Sequence, residues 1–147
     1  MFSAKNFFSD EQIKAIESAI KSAEKNTSGE IRIHIENRCT ADALGYATKV
    51  FQKLGMHKTE LRNGIMFYLA VKDKKFAVIG DEGINKNVPA GFWDLVRDKI
   101  LQQFKLEKFT EGLCEGIAMT GVELKKYFPY SASDKNELSN EVTFGAK

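Results

Sequence analysis

The 147-residue chain carries 22 Lys and Arg against 20 Asp and Glu, a formal charge of +2. Its lysines are spread along the chain rather than gathered, which argues against nucleic acid as a partner. A hydrophobic content of 43% and a charged content of 29% are those of a globular protein, and the length suits one core. No segment approaches the roughly 20 apolar residues that span a bilayer, so no membrane insertion is expected. Met1 to Asp10 lacks the basic and then apolar pattern of a secretion signal, and a cytoplasmic location is the expectation. Cys39 and Cys114 have no ligand spacing around them and are expected to be free thiols.

Ser9-Asp10-Glu11-Gln12 predicts a capping box, in which the Ser9 hydroxyl accepts from the Gln12 amide and Gln12 reaches back. Ile13, Ile16 and Ile20, with Ala15, Ala19 and Ala23, follow at helical spacing, so a helix runs from Asp10 to Glu24. From Glu30 the period is two: Ile31, Ile33 and Ile35 face one side, Arg32, His34 and Glu36 the other. On this pattern His34 is a solvent-facing or partly covered strand residue. Thr40 is expected to cap a second helix with Leu44, Ala47, Val50, Phe51 and Leu54 as its apolar stripe, ended by Gly55. Strand, helix and strand in this order predict two parallel strands with a right-handed crossover. The second strand, Gly64 to Val71, is apolar on both faces, the mark of a central strand.

Lys72 to Lys75 is a turn short enough to bring Phe76 to Ile79 back antiparallel. Residues 84–88 read as a connecting loop in which a fourth strand could hide. Pro89 suits the first turn of the next helix, with Trp93, Val96, Ile100 and Phe104 as its buried stripe. A last helix runs from Thr110 to Tyr127 and stops at Phe128-Pro129. The tail, 130–147, is rich in Ser, Asn and charge, has no period and is expected to be disordered. The prediction is a single α/β domain over 1–129: a three-layer α/β/α sandwich around a mixed central sheet of three to four strands, with helices on both faces.

Three punctuated motifs carry the functional reading: Ser28-Gly29-Glu30, Arg62-Asn63-Gly64 and Gly80-Asp81-Glu82-Gly83. Each stands at one end of a strand, and the predicted topology brings all three to one edge of the sheet. Neighbouring strands lie about 4.8 Å apart, so Glu30, Asn63, Asp81 and Glu82 can converge on a hard cation, with glycines letting backbone carbonyls turn inward. Asp94 and Asp98, four apart on the helix beginning beyond that edge, can complete the shell. Taken as residue types alone, the same motifs are also two turns, with Asp98 an exposed helix residue. The spacing is not that of an EF-hand, so modest affinity is expected. Two histidines without a His/Cys cluster argue against zinc. No nucleophile stands in a GxSxG context and no GxxxxGK[ST] loop is present. Gly112 and Gly116 fit close helix packing, and Trp93 reads as core or as the lining of a pocket near the motif edge.

Taken in order, these motifs resemble the TPM domain, the family named for a thylakoid lumen protein, a photosystem II-associated protein and a nematode acetylcholine-receptor accessory protein. The matching stretch runs from Phe8 to Pro129. It rests on Thr27-Ser28-Gly29-Glu30-Ile31, Arg62-Asn63-Gly64-Ile65, Ala77 to Ile84, Arg97-Asp98, and Phe109-Thr110-Glu111-Gly112-Leu113 leading to Tyr127-Phe128-Pro129. The resemblance implies an α/β/α sandwich, binding of calcium or magnesium, and the acid phosphatase activity proposed for plant relatives. Many relatives are secreted or membrane-anchored; this chain resembles a stand-alone soluble type, with a protein partner, including a membrane-associated one, as one expectation. The ligands it implies are Glu30, Asp81, Glu82 and Asp98, with Asn63 and Asp94 as further candidates. After Gly83 the chain departs from the family pattern, with Asn85-Lys86-Asn87 in place of an apolar run closing on an acidic residue. Three functions follow as expectations: a cation-binding accessory module, a weak metal-dependent phosphatase, or a domain that only recognises a partner.

Overall fold

Alternation along the strands sorts the side chains into two cores. In β1 (Glu30–Glu36) and β2 (Gly64–Ala70), Ile31, Ile33, Ile35, Ile65, Phe67 and Leu69 point to one face of the sheet. There they meet Ile16 and Ile20 of α2 (Asp10–Glu24), Val96 and Ile100 of α5 (Phe92–Lys105), and Leu113, Ile117 and Leu124 of α6 (Phe109–Tyr127). Met66, Tyr68 and Ala70 point the other way, onto Ala47, Val50 and Phe51 of α3 (Ala43–Lys53). Two helical layers therefore enclose one sheet, as the two-faced apolar pattern of β2 requires. The computed structural model describes residues 4–130 and 140–145.

The sheet order is β3-β2-β1-β4. β1 and β2 are parallel, with Glu30 opposite Gly64 and Glu36 opposite Ala70. β3 (Lys75–Gly80) returns antiparallel, with Ile65 opposite Gly80. The short helices α1 (Ala4–Phe7) and α4 (Glu82–Asn85) complete the elements before the tail. The Ser9–Gln12 capping box forms, with both reciprocal bonds in place.

Five expectations need correction. The fourth strand is not in 84–88, where α4 forms instead, nucleated by the Asp81 carboxylate on the Glu82 amide. It is β4 (Thr143–Phe144), in the tail expected to be disordered over 130–147; residues 131–139, 146 and 147 lie outside the described residues. β4 runs parallel to β1, and the Gly145 amide donates to the Ile35 carbonyl at 2.8 Å. The cause is an open strand edge meeting a β-branched and aromatic run. Val142 and Phe144 add their side chains to the larger core, and the Val142 amide donates to Glu17 of α2. Because β4 covers that edge, His34 is buried at 4% exposure rather than solvent-facing or partly covered. Asp42, not Thr40, caps α3 by accepting from the Gly45 amide. Finally, α5 begins at Phe92 behind Gly91, whose φ of 82° is open to glycine, so Pro89 precedes the helix rather than opening it.

Candidate functional site

The three motifs do meet at one edge of the sheet, stitched by backbone bonds. The Glu30 amide donates to the Asn63 carbonyl at 3.2 Å, the Asp81 amide to Gly64 at 2.9 Å and the Gly83 amide to Arg62 at 3.0 Å. Close approach explains two of the glycines. A Cβ on Gly29 would lie 2.7 Å from Leu124 of α6, and one on Gly83 would lie 2.2 Å from the Leu61 carbonyl oxygen. Leu61 and Arg62 thus press their carbonyls against the first turn of α4. The Ser28 amide donates to the Phe128 carbonyl and the Thr27 hydroxyl bonds the same oxygen, so the end of α6 holds the first motif in place.

The side chains on this edge divide into groups. Asp81 is the centre of one: it is only 6% exposed, and Arg62 grips it with both ends of the guanidinium, Nε on Oδ2 at 2.8 Å and Nη2 on Oδ1 at 2.9 Å. Arg62 adopts a left-handed φ of 51° here, and its Nη1 reaches Glu82 at 3.3 Å. Glu30 opens β1, two strands away from Asp81 across β2, or roughly 10 Å at the usual strand spacing. It is buried, and its charge acts on Arg32 and on Glu24. Glu24, the last residue of α2, accepts from the Ile31 amide at 2.8 Å, and its carboxyl is pushed up to about 7, by burial first and by Glu30 in addition.

Asp94 and Asp98 both stand on the exposed face of α5, each beside Arg97, at 3.6 and 3.7 Å. Asn63 is buried and donates from its side chain to Ser28 at 3.4 Å. Among the described residues no three His, Cys, Asp or Glu side chains gather closely enough to hold an ion. What the edge offers a hard cation is narrower than the sequence suggests: the Asp81 and Glu82 carboxylates, both bonded to Arg62. That oxygen set fits calcium or magnesium in kind, and a cation, the Arg62 guanidinium, already stands on it. Sequence reading missed Arg62 as the partner of Asp81, although its place beside Asn63-Gly64 on the shared edge was the available signal. It also missed Asn85, whose side-chain amide donates to the Gly80 carbonyl at 2.8 Å while its oxygen accepts from Trp93 Nε1 at 2.9 Å. Trp93 packs partly buried against the core and closes over Gly80.

Comparison with known proteins adds three findings. The family model described as the TPM domain matches residues 1–122. The solution structure of BA42 protein from the psychrophilic bacterium Bizionia argentinensis superposes with a TM-score of 0.90 at 46% identity, covering 96% of this chain and 97% of that one. An N-terminal domain of a P. gingivalis protein aligns with a TM-score of 0.68 at 16% identity over 84% of this chain and 80% of its own. The N-terminal domain of the cg2496 protein from Corynebacterium glutamicum gives 0.65 at 14% identity over 90% and 80%. These last two share the fold. No curated protein matches the sequence.

Proposed function

The chain belongs to the TPM domain family, and from that premise we propose that it is a divalent-cation binding module for calcium or magnesium. On this reading it serves as an accessory or interaction protein with little catalysis of its own. The observation that carries the proposal is the nearly buried Asp81 carboxylate, whose two oxygens are both occupied by a cationic group that is itself 41% exposed on its side chain. A guanidinium held from the solvent side can swing away, and a divalent ion of higher charge density can take its place on the same oxygens. Asp81 and Glu82 are the side chains that would hold the ion. Glu30 and Asp98 stand too far out of this group to share it without rearrangement, and affinity stays modest because Arg62 competes.

The test is a calcium titration of the full chain followed by NMR, with the Arg62 Nε–H as a second reporter. Calcium is expected to shift the Asp81, Glu82 and Gly83 amides and to release the Arg62 side chain. Arg62→Ala, which removes the competitor, is expected to tighten binding by about tenfold, and Asp81→Asn to abolish it. Arg62→Ala leaving affinity unchanged, or wild-type protein without shifts at millimolar calcium, ends the proposal.

The same geometry favours a second reading, weak metal-dependent phosphatase activity. An ion seated on Asp81 would leave the Arg62 guanidinium beside it, and the pair together carry the positive charge that a phosphate monoester needs. Here the prediction reverses: Arg62→Ala would lower hydrolysis of p-nitrophenyl phosphate while strengthening calcium binding. Hydrolysis that survives Asp81→Ala unchanged would rule this second reading out.

A further inference from the structure

The opposite end of the sheet holds a cleft of about 950 Å³, far from the three motifs. It opens at the carboxyl ends of the parallel strands, between Glu36 of β1, Lys72 after β2 and Phe144-Gly145 of β4, and α3 forms its wall with Tyr46, Val50 and Lys53. The topology singles out this place. From β1 the chain crosses to β2 through α3 on one face of the sheet. β4 pairs with the other side of β1 and follows α5 and α6, which lie on the opposite face. The connections therefore diverge at β1, and in open α/β sheets a crevice at the carboxyl ends beside such a divergence is where ligands bind. Its volume lies within the range of small-molecule sites.

The floor of the cleft is a buried, fully engaged polar network. Glu36 Oε2 lies 2.9 Å from His34 Nε2, and Glu36 Oε1 accepts from the Tyr68 hydroxyl at 3.2 Å. His34 Nδ1 lies 2.7 Å from the Thr143 hydroxyl of β4. An ionised carboxylate can only accept, so Nε2 carries the hydrogen in the neutral ring, and Nδ1 competes for the Thr143 hydroxyl hydrogen with the Ile33 carbonyl, 3.4 Å from that oxygen. Burial holds the imidazole below its ordinary pKa, outweighing Glu36, with the Arg32 and Lys53 charges acting in the same direction as burial. The His34 and Tyr68 rings stack at 6.0 Å, and Tyr46 meets Tyr68 edge-on at 5.8 Å.

The rim is different in kind. Arg38, Lys53 and Lys72 line it, and among the described residues none of the three forms an ion pair with a carboxylate. The one acidic group in the lining, Glu36, has both oxygens turned into the network beneath. Positive charge at the mouth is thus left facing solvent over walls made by Tyr46, Val50, Leu54 and Phe144. We infer that this cleft is a second site, separate from the Asp81 rim, which binds a small organic anion: the anionic group held by Lys53, Lys72 and Arg38, and a flat apolar body laid against Tyr46 and Phe144. His34 and Glu36 are positioning residues, which keep the floor neutral at the imidazole and fix β4 as the far wall.

Adenosine monophosphate serves as the probe, since it joins an anion to a flat body, with inorganic phosphate and adenosine as separate arms. Titrated into the full-length protein and followed by NMR, the nucleotide is expected to give saturable shifts at Arg38, Tyr46, Lys53, Lys72 and Gly145, and to bind more tightly than either part alone. The paired variant Lys53→Glu with Lys72→Glu changes two exposed side chains, so the fold should persist. It is expected to weaken nucleotide binding by at least about tenfold and to leave calcium shifts at Asp81 untouched. No saturable shift with the nucleotide at millimolar concentration overturns the inference. So do shifts that map to the Asp81 rim, equal binding of the nucleotide by the charge-reversed variant, or phosphate alone binding as tightly as the nucleotide.

Discussion

The two ends of the sheet treat their polar groups in opposite ways. At the end where β1 and β2 begin, Asp81 is neutralised by an arginine that is 41% exposed on its side chain, and Glu82 is 60% exposed on its own. Where the same strands finish, His34 and Tyr68 are buried and both bond Glu36, whose side chain is only 12% exposed. Exposed ion pairs contribute little to stability and exchange readily. A buried network resists the loss of any member, because each partner left behind remains desolvated and unpaired. The first end is therefore suited to trading one cation for another, the second to holding a wall in place.

The widest gap between the ends should appear on truncation. Glu36→Ala leaves the His34 Nε2–H and the Tyr68 hydroxyl without their acceptor in the interior, and a loss of about 3–4 kcal/mol is expected in urea unfolding. Arg62→Ala should cost far less, since water can reach the Asp81 carboxylate from the side the guanidinium occupied. Comparable losses in the two variants would erase the distinction.

Glu24 sharpens the comparison, because it is a largely covered carboxylate at the end that otherwise exchanges its partners, and among the described residues no cation pairs with it. Its folded-state pKa is raised to about 7 from 4.5, so the native state holds the proton more tightly than the unfolded chain does. That contribution is fully present below about pH 4.5 and disappears as pH rises through 7, a fall of up to about 3 kcal/mol. Glu24→Gln should flatten the stability profile over this window in chemical denaturation at a series of pH values. A wild-type profile already level between these limits would mean that Glu24 ionises freely in the fold.

Legibility in the sequence followed the range of the interactions. The capping box at Ser9, the alternation in β1, the two-faced burial of β2 and the shared motif edge rest on neighbours in sequence or on topology, and these are readable from residue pattern. Within the motif edge the pattern could not say which charge would find which. The Asp81–Arg62 pair depends on how two turns lie across β2, and Asp98 turns outward because α5 packs through Val96 and Ile100 instead. The cleft end was hidden for another reason. His34 and Glu36 look like the solvent face of a strand until a two-residue strand from the far end of the chain covers them, and Val142 and Phe144 are a short apolar signal in a mostly polar tail.

The smallest effect expected comes from that late strand, and it tests whether the buried network and β4 act as one unit. Thr143→Val keeps the β-branched shape that suits a strand and removes the hydroxyl, which lies 2.7 Å from His34 Nδ1 and 3.4 Å from the Ile33 carbonyl. Thr143 is half-buried, so water can replace part of the lost bond, and a cost of about 1 kcal/mol is expected. The loss should be local rather than global, because β4 is held by few bonds and can open without unfolding the central strands. Hydrogen exchange reads this directly: the Gly145 amide, bonded to the Ile35 carbonyl, should exchange several-fold faster in the variant, while the amides of β2 keep their protection. Faster exchange throughout the sheet would make β4 part of the global folding unit. An unchanged Gly145 amide would show that the strand is held by Val142 and Phe144 alone, and that His34 does not anchor the wall of the cleft.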